Sequence, residues 1–328
     1  MENNLKEIVS KALLVSKDSY SKEVRHVLKT LEEVMIKNKD LLIEASEIDV
    51  KNGNGFLIDF SIVSKIFENV EKDTAYFGDV ILAKNDEEKK MLYGKEIMDQ
   101  GVVSVIYDGD FYVLLEMILR NLKAGNSLIL LQNSYMMGAN QLLVQICQDV
   151  LESLCLSRNF IQLFLTDNYE EIFPFSMNID LVIAIGDRIL QNNVLTKSPV
   201  KTITSGYNNF DLYIEDLTHI DFLKEIINTS HPLQVYVQKD LDFSTSESII
   251  VDDIDEAIGQ IQYTGNRYSV AIFTKDDHHA SRFMREVKSK YVVVNTNPMI
   301  EQILDIKQED LVLEKTLIYP FSIEKSKK

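Results

Sequence analysis

Two thiols, one histidine-bearing helix start and one aspartate-flanked turn are where this 328-residue chain could do chemistry. Cys147 and Cys155 are its only cysteines. They fall on or beside the stripe Leu142, Leu143, Ile146, Val150, Leu151 and Leu154, whose i, i+3, i+4 spacing marks an amphipathic helix. Folding takes water away from a thiol on such a face, which keeps it protonated and inert, so packing is the expected role. Two cysteines also make no disulfide framework.

Asp276-Asp277-His278-His279 has metal-ligand residue types, but consecutive residues at a helix start point in different directions. Asp276 reads as a helix cap. Ser230-His231, just before Pro232, sets a hydroxyl beside a base. An activating base must reach its hydroxyl across space, which chain neighbours rarely do. After the apolar run Val102–Tyr107 comes Asp108-Gly109-Asp110, where two carboxylates would repel a pyrophosphate. The chain has no G-x-x-x-x-G-K-[ST], and no G-x-G-x-x-G follows the first parallel strand.

These residues sit in a regular succession of elements. The first fifty residues read as two helices, and Asn52-Gly53-Asn54-Gly55 signals a loop in a mixed, turn-rich region over 51–95. From residue 101 short apolar runs alternate with amphipathic ones: strands at Val102–Tyr107, Ser127–Leu131, Phe160–Leu165, Asp180–Ile185 and Val200–Thr204, with helices between. That rhythm predicts a parallel sheet covered on both faces. Strands at Asp211–Ile214, Leu233–Val237, Ser248–Val251, Val270–Phe273 and Tyr291–Asn295 alternate with helices at Ile220–Ile227, Asp253–Gln262 and 276–288.

The charge narrows the partners. Lys+Arg number 34 against 51 Asp+Glu, a formal net charge of -17, which repels phosphate backbones and anionic lipid headgroups. No apolar run approaches the roughly 20 residues needed to span a bilayer. The start, MENNLKEIVSK, has no signal-peptide core, so a cytoplasmic location is expected, with neither nucleic acid nor membrane as partner.

Several stretches, in order, resemble the aldehyde dehydrogenase superfamily and within it glutamyl phosphate reductase. Gly101–Tyr107 resembles that branch's P-L-G-V-V-G-V-I-Y-E, and Leu122–Leu131 its L-K-x-G-N-A-V-I-L-R. Ser134 and Asn140 sit where the branch begins its next helix with S/K-E…T-N. Val200–Glu215 resembles V-P-V-I-E-T-G-x-G-N-C-H-I-Y-V-D. Val251–Phe283 resembles V-x-x-L-D-E-A-I-x-H-I-x-x-x-G-x-x-H-S-D-A-I-V-T-x-D-x-x-x-A-x-R-F and runs on into Arg285-Glu286-Val287 and Tyr291–Asn295. The resemblance implies an α/β, aldehyde-dehydrogenase-like fold: a Rossmann-type parallel sheet with a second, truncated α/β catalytic-type domain. Residues 1–209 would hold the N-terminal helices and cofactor-type domain, 210–296 the catalytic-type domain, and 297–328 a C-terminal segment suited to oligomerisation.

The departures bear on function. The family's N-A-K-T-Q-R-P-S-x-C-N, which carries its nucleophile, is missing: Ile226–Pro232 runs straight into LQVYV, and no cysteine follows Cys155. The glycine-rich stretch at the fourth Rossmann strand is reduced to Gly186-Asp187-Arg188, and the glycine-rich last segment is replaced by MIEQILDIKQEDLVLEKT. The family's thioester or thiohemiacetal chemistry needs a thiolate that attacks and leaves well. Ser230, with His231 as base, is the nearest substitute and a poor one.

The resemblance and its gaps together imply a catalytically silent relative, a pseudoenzyme with a binding or regulatory role beside proline biosynthesis. It is expected as a homodimer or as a hetero-oligomer with an active family member. The alternative is an active NAD(P)-dependent oxidoreductase that reduces an acyl phosphate or oxidises an aldehyde. A third reading, a small-molecule binder that keeps the nucleotide cleft, needs Lys123, Ser134 and the sheet edge. The cofactor is expected to be NADP or none. A surviving cleft would lie at the carboxyl ends of the parallel strands, at Tyr107, Gln132, Ser134, Gly186, Ser205 and Gly206.

Overall fold

The apolar runs of the sequence are the strands of two parallel sheets, and the amphipathic runs between them are the helices that cover those sheets. The computed structural model describes residues 2–15, 20–73, 76–86, 88, 90–206, 210–230, 234–243, 245, 248–264, 268–298 and 306–320. The chain forms two compact units: Met1–Ala184 with Lys197–Ile203 and Ile306–Lys328, and Ile185–Thr196 with Thr204–Asp305.

The first unit opens with α1 (Glu2–Leu13), α2 (Tyr20–Lys37), α3 (Lys39–Lys51) and α4 (Phe60–Lys72). Where the sequence suggested two helices before residue 50 there are three, because the second apolar stripe breaks at Asn38. Residues 60–72 lie in the region expected to be rich in turns. They are helical because Val63, Ile66, Phe67 and Val70 share one buried face and Asp59 caps the first turn by accepting from Ser61 N–H. The strands β1 (Val80–Asp86) and β2 (Met91–Asp99) follow as an antiparallel pair.

The first parallel sheet comes next. Its strands are β3 (Val102–Tyr107), β4 (Ser127–Gln132), β5 (Ile161–Leu165), β6 (Leu181–Ile185) and β7 (Thr202–Ser205), in the order β5-β4-β3-β6-β7. β3 pairs with β4, and β4 with β5, in parallel register. Asp180 N–H donates to Val102 O and Val182 N–H to Lys201 O, so β6 and β7 start level with β3. The connecting helices are α5 (Phe111–Ala124), α6 (Met137–Ser153) and α7 (Arg188–Lys197).

Every residue of α5 is buried, and two of its three charged side chains pair with each other: Arg120 holds Glu116 at 2.8 Å and also Asp73 at 2.6 Å. α5 ends at Gly125, whose φ of 76° is left-handed. A Cβ there would lie 2.6 Å from the Phe77 ring, so only glycine fits.

The second unit holds β8 (Phe210–Ile214), α8 (Ile220–Ser230), β9 (Gln234–Gln238), β10 (Ile249–Val251), α9 (Ile254–Thr264), β11 (Ser269–Phe273), α10 (Asp277–Glu286) and β12 (Tyr291–Val294). The order is β10-β9-β8-β11-β12, parallel throughout. Successive side chains along each strand point to opposite faces. Phe210, Leu212 and Ile214 therefore pack with Leu223 and Ile226 of α8 on one face. Tyr213, Val270 and Ile272 pack with Ile258 and Ile261 of α9 and Phe283 of α10 on the other. Burial on both faces is why these strands read as continuous apolar runs.

Late in the chain β13 (Val312–Pro320) returns to the first unit and pairs antiparallel with β2, giving a three-stranded sheet β1-β2-β13. This strand lies in the stretch where the resemblance fails. No described helix is long and apolar enough to cross a membrane.

Candidate functional site

The carboxyl ends of parallel strands, and the helix starts that follow them, are where a doubly wound sheet offers backbone N–H groups to a ligand. In this chain several of those N–H groups already have acceptors. α5 begins at Asp110, whose carboxylate accepts from Tyr112 N–H at 2.8 Å and Val113 N–H at 3.1 Å. α6 begins in an unusual way. Its cap residue Met136 has left-handed φ of 47° and gives no side-chain hydrogen bond. The acceptor comes instead from α3: Asp49 takes Gly138 N–H at 3.1 Å and Ala139 N–H at 2.9 Å.

The loop Asn52–Gly55 makes this approach possible. It folds back so that Asn54 O accepts Met136 N–H at 3.0 Å, and a Cβ on Gly55 would meet Met136 Cγ at 2.9 Å. A Cβ on Gly138 would lie 3.0 Å from the Asp49 carboxylate. At the start of α7, Asp187 accepts Leu190 N–H at 2.7 Å. All three helix starts of the first sheet thus carry a carboxylate of the chain itself. A helix N-terminus has partial positive charge, so each aspartate is well placed there, and each stands where a phosphate would bind.

Tyr107 and Gln132 are cross-strand partners and both are buried. The Tyr107 hydroxyl donates to Gln132 Oε1, which also accepts from Asn140 Nδ2 at 3.1 Å, while Gln132 Nε2 donates to Tyr135 O at 3.0 Å. Burial, with the Asp110 charge second, pushes the Tyr107 phenol well above its ordinary range. The two side chains close a network on each other and on the loop Asn133–Met136. Asn140 Nδ2 extends it to Gly109 O at 2.6 Å. Gly109 has φ of 87°, and a Cβ there would stand 2.6 Å from Tyr135 O. Ser134 is exposed on this loop.

Gly186, Ser205 and Gly206 belong to the second unit. Gly186 N–H donates to Ser205 O at 3.1 Å, and Gly186 O accepts from Gln191 Nε2 at 2.9 Å. Ser205 Oγ is buried without a hydrogen-bond partner. A Cβ on Gly206 would meet Tyr268 Cβ at 2.9 Å, a close approach between two parts of the chain. Of the six residues expected at a cleft, Tyr107 touches Gln132 and Gly186 bonds Ser205.

Lys123 lies at the end of α5, one turn before β4 begins, and so at the amino ends of the strands. It is fully buried, and its Nζ donates to Val70 O and Asp73 O at the end of α4. Burial lowers its pKa to about 8. It closes a helix terminus, which removes it from the ligand edge where the small-molecule reading needs it.

The thiols are no better placed. Cys147 is buried within α6, and burial pushes its thiol up to about 12. Cys155 is exposed just past the end of α6, again away from the carboxyl ends of the strands. Ser230 ends α8, and His231 lies outside the described residues.

Asp276 accepts from His278 and His279 N–H, the cap expected of it. Its carboxyl is held below the usual range by those bonds. Among the described residues no group of three or more His, Cys, Asp or Glu could hold a metal. The second unit does carry one polar cluster that the sequence did not reveal. Glu215, after β8, bonds both His279 of α10 and the Thr274 hydroxyl after β11, and Asn295 bonds Thr274 N–H and O.

Comparison with protein-family models finds no match. Curated sequences do match over most of the chain. Gamma-glutamyl phosphate reductase of Dictyoglomus thermophilum is 23% identical over 343 residues, covering 84% of this chain and 83% of the relative. The enzyme of that name from Alkaliphilus metalliredigens is 23% identical over 368 residues, covering 90% and 88%.

Among solved structures, gamma-glutamyl phosphate reductase of Thermotoga maritima superposes with a TM-score of 0.54 at 16% identity, covering 97% of each chain. An acetylating aldehyde dehydrogenase of Geobacillus thermoglucosidasius gives 0.69 at 11% identity, covering 100% and 98%. Betaine aldehyde dehydrogenase of Staphylococcus aureus, solved with NAD+, gives 0.65 at 13%, covering 98% and 88%. The chain is glutamyl-phosphate-reductase-like in sequence and aldehyde-dehydrogenase-like in fold.

Proposed function

We propose that this protein is a catalytically silent relative of glutamyl phosphate reductase that acts by binding and regulation, beside an active enzyme of proline biosynthesis. The observation that carries the reading is the position of its thiols. Both belong to α6 and its end in the first unit, and the chain has no cysteine after Cys155 to serve the second, catalytic-type unit. Reduction of an acyl phosphate through a thioester requires a thiolate at that carbon, and no hydroxyl replaces it without an activating base.

The helix starts support the same reading. With Asp110, Asp49 and Asp187 in place, a dinucleotide pyrophosphate would meet carboxylates instead of free N–H groups. With carboxylates at these helix starts, the residues at the strand ends do not fit NADP or NAD.

Self-association, or association with an active relative, is part of the proposal. The sheet β1-β2-β13 leaves Val80, Ile81 and Leu82 on one edge strand and Leu313, Ile318 and Tyr319 on the other exposed. Exposed apolar side chains on both edge strands would suit pairing with another chain.

The test is titration of NADPH and NADH into the purified chain, read by fluorescence and thermal shift, alongside assays of acyl-phosphate reduction and aldehyde oxidation. Absence of saturable binding and of turnover is expected. Turnover with either nucleotide would replace this reading with an active oxidoreductase.

A further inference from the structure

A cavity of about 530 Å³ opens in the first unit between α2, α4 and α5, away from Tyr107, Gln132 and Ser134. Its volume is within the range of small-molecule sites. The floor is apolar: Phe67, Val70 and Leu119 are buried, and Leu28 is half-buried. Tyr76 closes one end, with the Arg25 guanidinium 4.1 Å from its ring centroid and Lys123 Nζ 4.2 Å from it. Arg25 is already engaged, since it also holds both oxygens of Asp79 at 3.0 Å.

The rim differs from the floor. Lys29 and Glu32 stand on the α2 wall, and Glu71 stands on the α4 wall. Three residues apart on one helix, Lys29 and Glu32 are separated by roughly 4.5 Å along the axis. An i, i+3 pair of opposite charge normally gains by joining. Here no ion pair engages Lys29, Glu32 or Glu71 among the described residues. Beside the engaged Arg25, the mouth therefore offers Lys29, Glu32 and Glu71, none of them in a close ion pair among the described residues, above an apolar pocket.

We infer that this cavity binds a free α-amino acid with an apolar side chain. The ligand's carboxylate would meet Lys29, its ammonium group would lie between Glu32 and Glu71, and its side chain would rest on Phe67, Val70 and Leu119. A lone anion would leave both glutamates facing it, and a lone cation would face Lys29. A zwitterion uses both signs. Such binding requires no turnover of a substrate by the protein.

The experiment is calorimetric titration of the full chain with L-leucine, L-methionine and L-phenylalanine up to about 20 mM, a range that captures millimolar affinity. Each leucine result is paired with 4-methylpentanoate, which lacks the amine, and 3-methylbutylamine, which lacks the carboxylate. Saturable binding of at least one amino acid is expected, with both analogues at least tenfold weaker than leucine if leucine is the one bound. The exposed-rim variant Lys29→Glu should weaken binding at least tenfold, and Leu28→Trp, which fills the cavity, should abolish it. Circular dichroism melting of each variant identifies any that does not fold, and Lys29→Glu alone suffices if Leu28→Trp fails. Absence of saturable binding by all three amino acids overturns the inference. So does an analogue that binds as well as leucine, or unchanged affinity in Lys29→Glu.

Discussion

The carboxylate of Asp49, at the end of α3, accepts the Gly138 and Ala139 N–H groups of α6 at 3.1 and 2.9 Å. A helix whose own cap residue contributes no side chain is capped by another helix some ninety residues earlier. Asp49→Ala should therefore cost about 1 kcal/mol, the usual worth of an N-cap, and Asp49→Asn should keep most of it. The alanine variant should also gain stability from added sulfate, because its helix start is freed for an anion. Urea denaturation with and without sulfate measures both effects. Equal stability of all three proteins would show that the contact carries no weight.

The thiols should separate cleanly under a thiol-specific reagent. At pH 8 in the folded protein Cys155 should react and Cys147 should not, because burial holds the Cys147 thiol up to about 12. Counting the thiols modified before and after denaturation gives one and then two. Two fast-reacting thiols in the native state would contradict the buried placement of α6.

Lys123 makes stability depend on pH. Its folded pKa is lowered from 10.5 to about 8 by burial, so between those values the unfolded chain holds more protons than the folded one. The sign follows: stability from this group increases as pH rises from about 8 to about 10. Lys123→Met should remove that slope, while also losing the bonds to Val70 O and Asp73 O. The difference in melting temperature between wild type and variant, followed from pH 7.5 to 10 (in steps of roughly half a unit), isolates the effect from the buried tyrosines. A constant difference would mean that Lys123 is not desolvated.

Two glycines should respond to alanine with opposite signs. Gly109→Ala forces a side chain into a φ of 87° and toward Tyr135 O, so a loss of more than about 1 kcal/mol is expected. Gly259 lies inside α9 with nothing within 4 Å of a Cβ, so Gly259→Ala should stabilise by up to about 1 kcal/mol. Thermal denaturation of both variants decides, and loss of stability in both would show that α9 does not accept the added methyl group.

What the sequence revealed depended on range. The strands Val102–Tyr107 and Ser127–Leu131 were plain, because burial on both faces leaves an unbroken apolar run. The caps Asp110 and Asp276 were within reach for the same local reason: an aspartate precedes its helix by a residue or two. Asp49 was not, since nothing in its neighbourhood announces a helix so much later in the chain. A small-molecule cleft that keeps Lys123 is not supported, because the length of α5 carries Lys123 to the amino ends of the strands. Strands β1, β2 and β13 carry no clear sequence signal, because the two edge strands are largely exposed and β2 is only half-buried, so neither alternation nor an apolar run is enforced. The cluster of Glu215, Thr274 and His279 joins three elements by side chains alone, which spacing does not encode.

The pairing of β2 with β13 also sets an order of events during synthesis. Lys95 of β2 meets Glu314 of β13 at 2.8 Å, across 219 residues of chain. At about 5–20 residues per second, β2 waits roughly 10–40 s on the ribosome before its partner strand is made. For that interval the β1–β2 hairpin presents an open strand edge, and the first unit cannot close even though its parallel sheet is already translated. A nascent chain of this protein thus keeps that edge open long after its parallel sheet has been translated, and the first unit is completed only when β13 emerges.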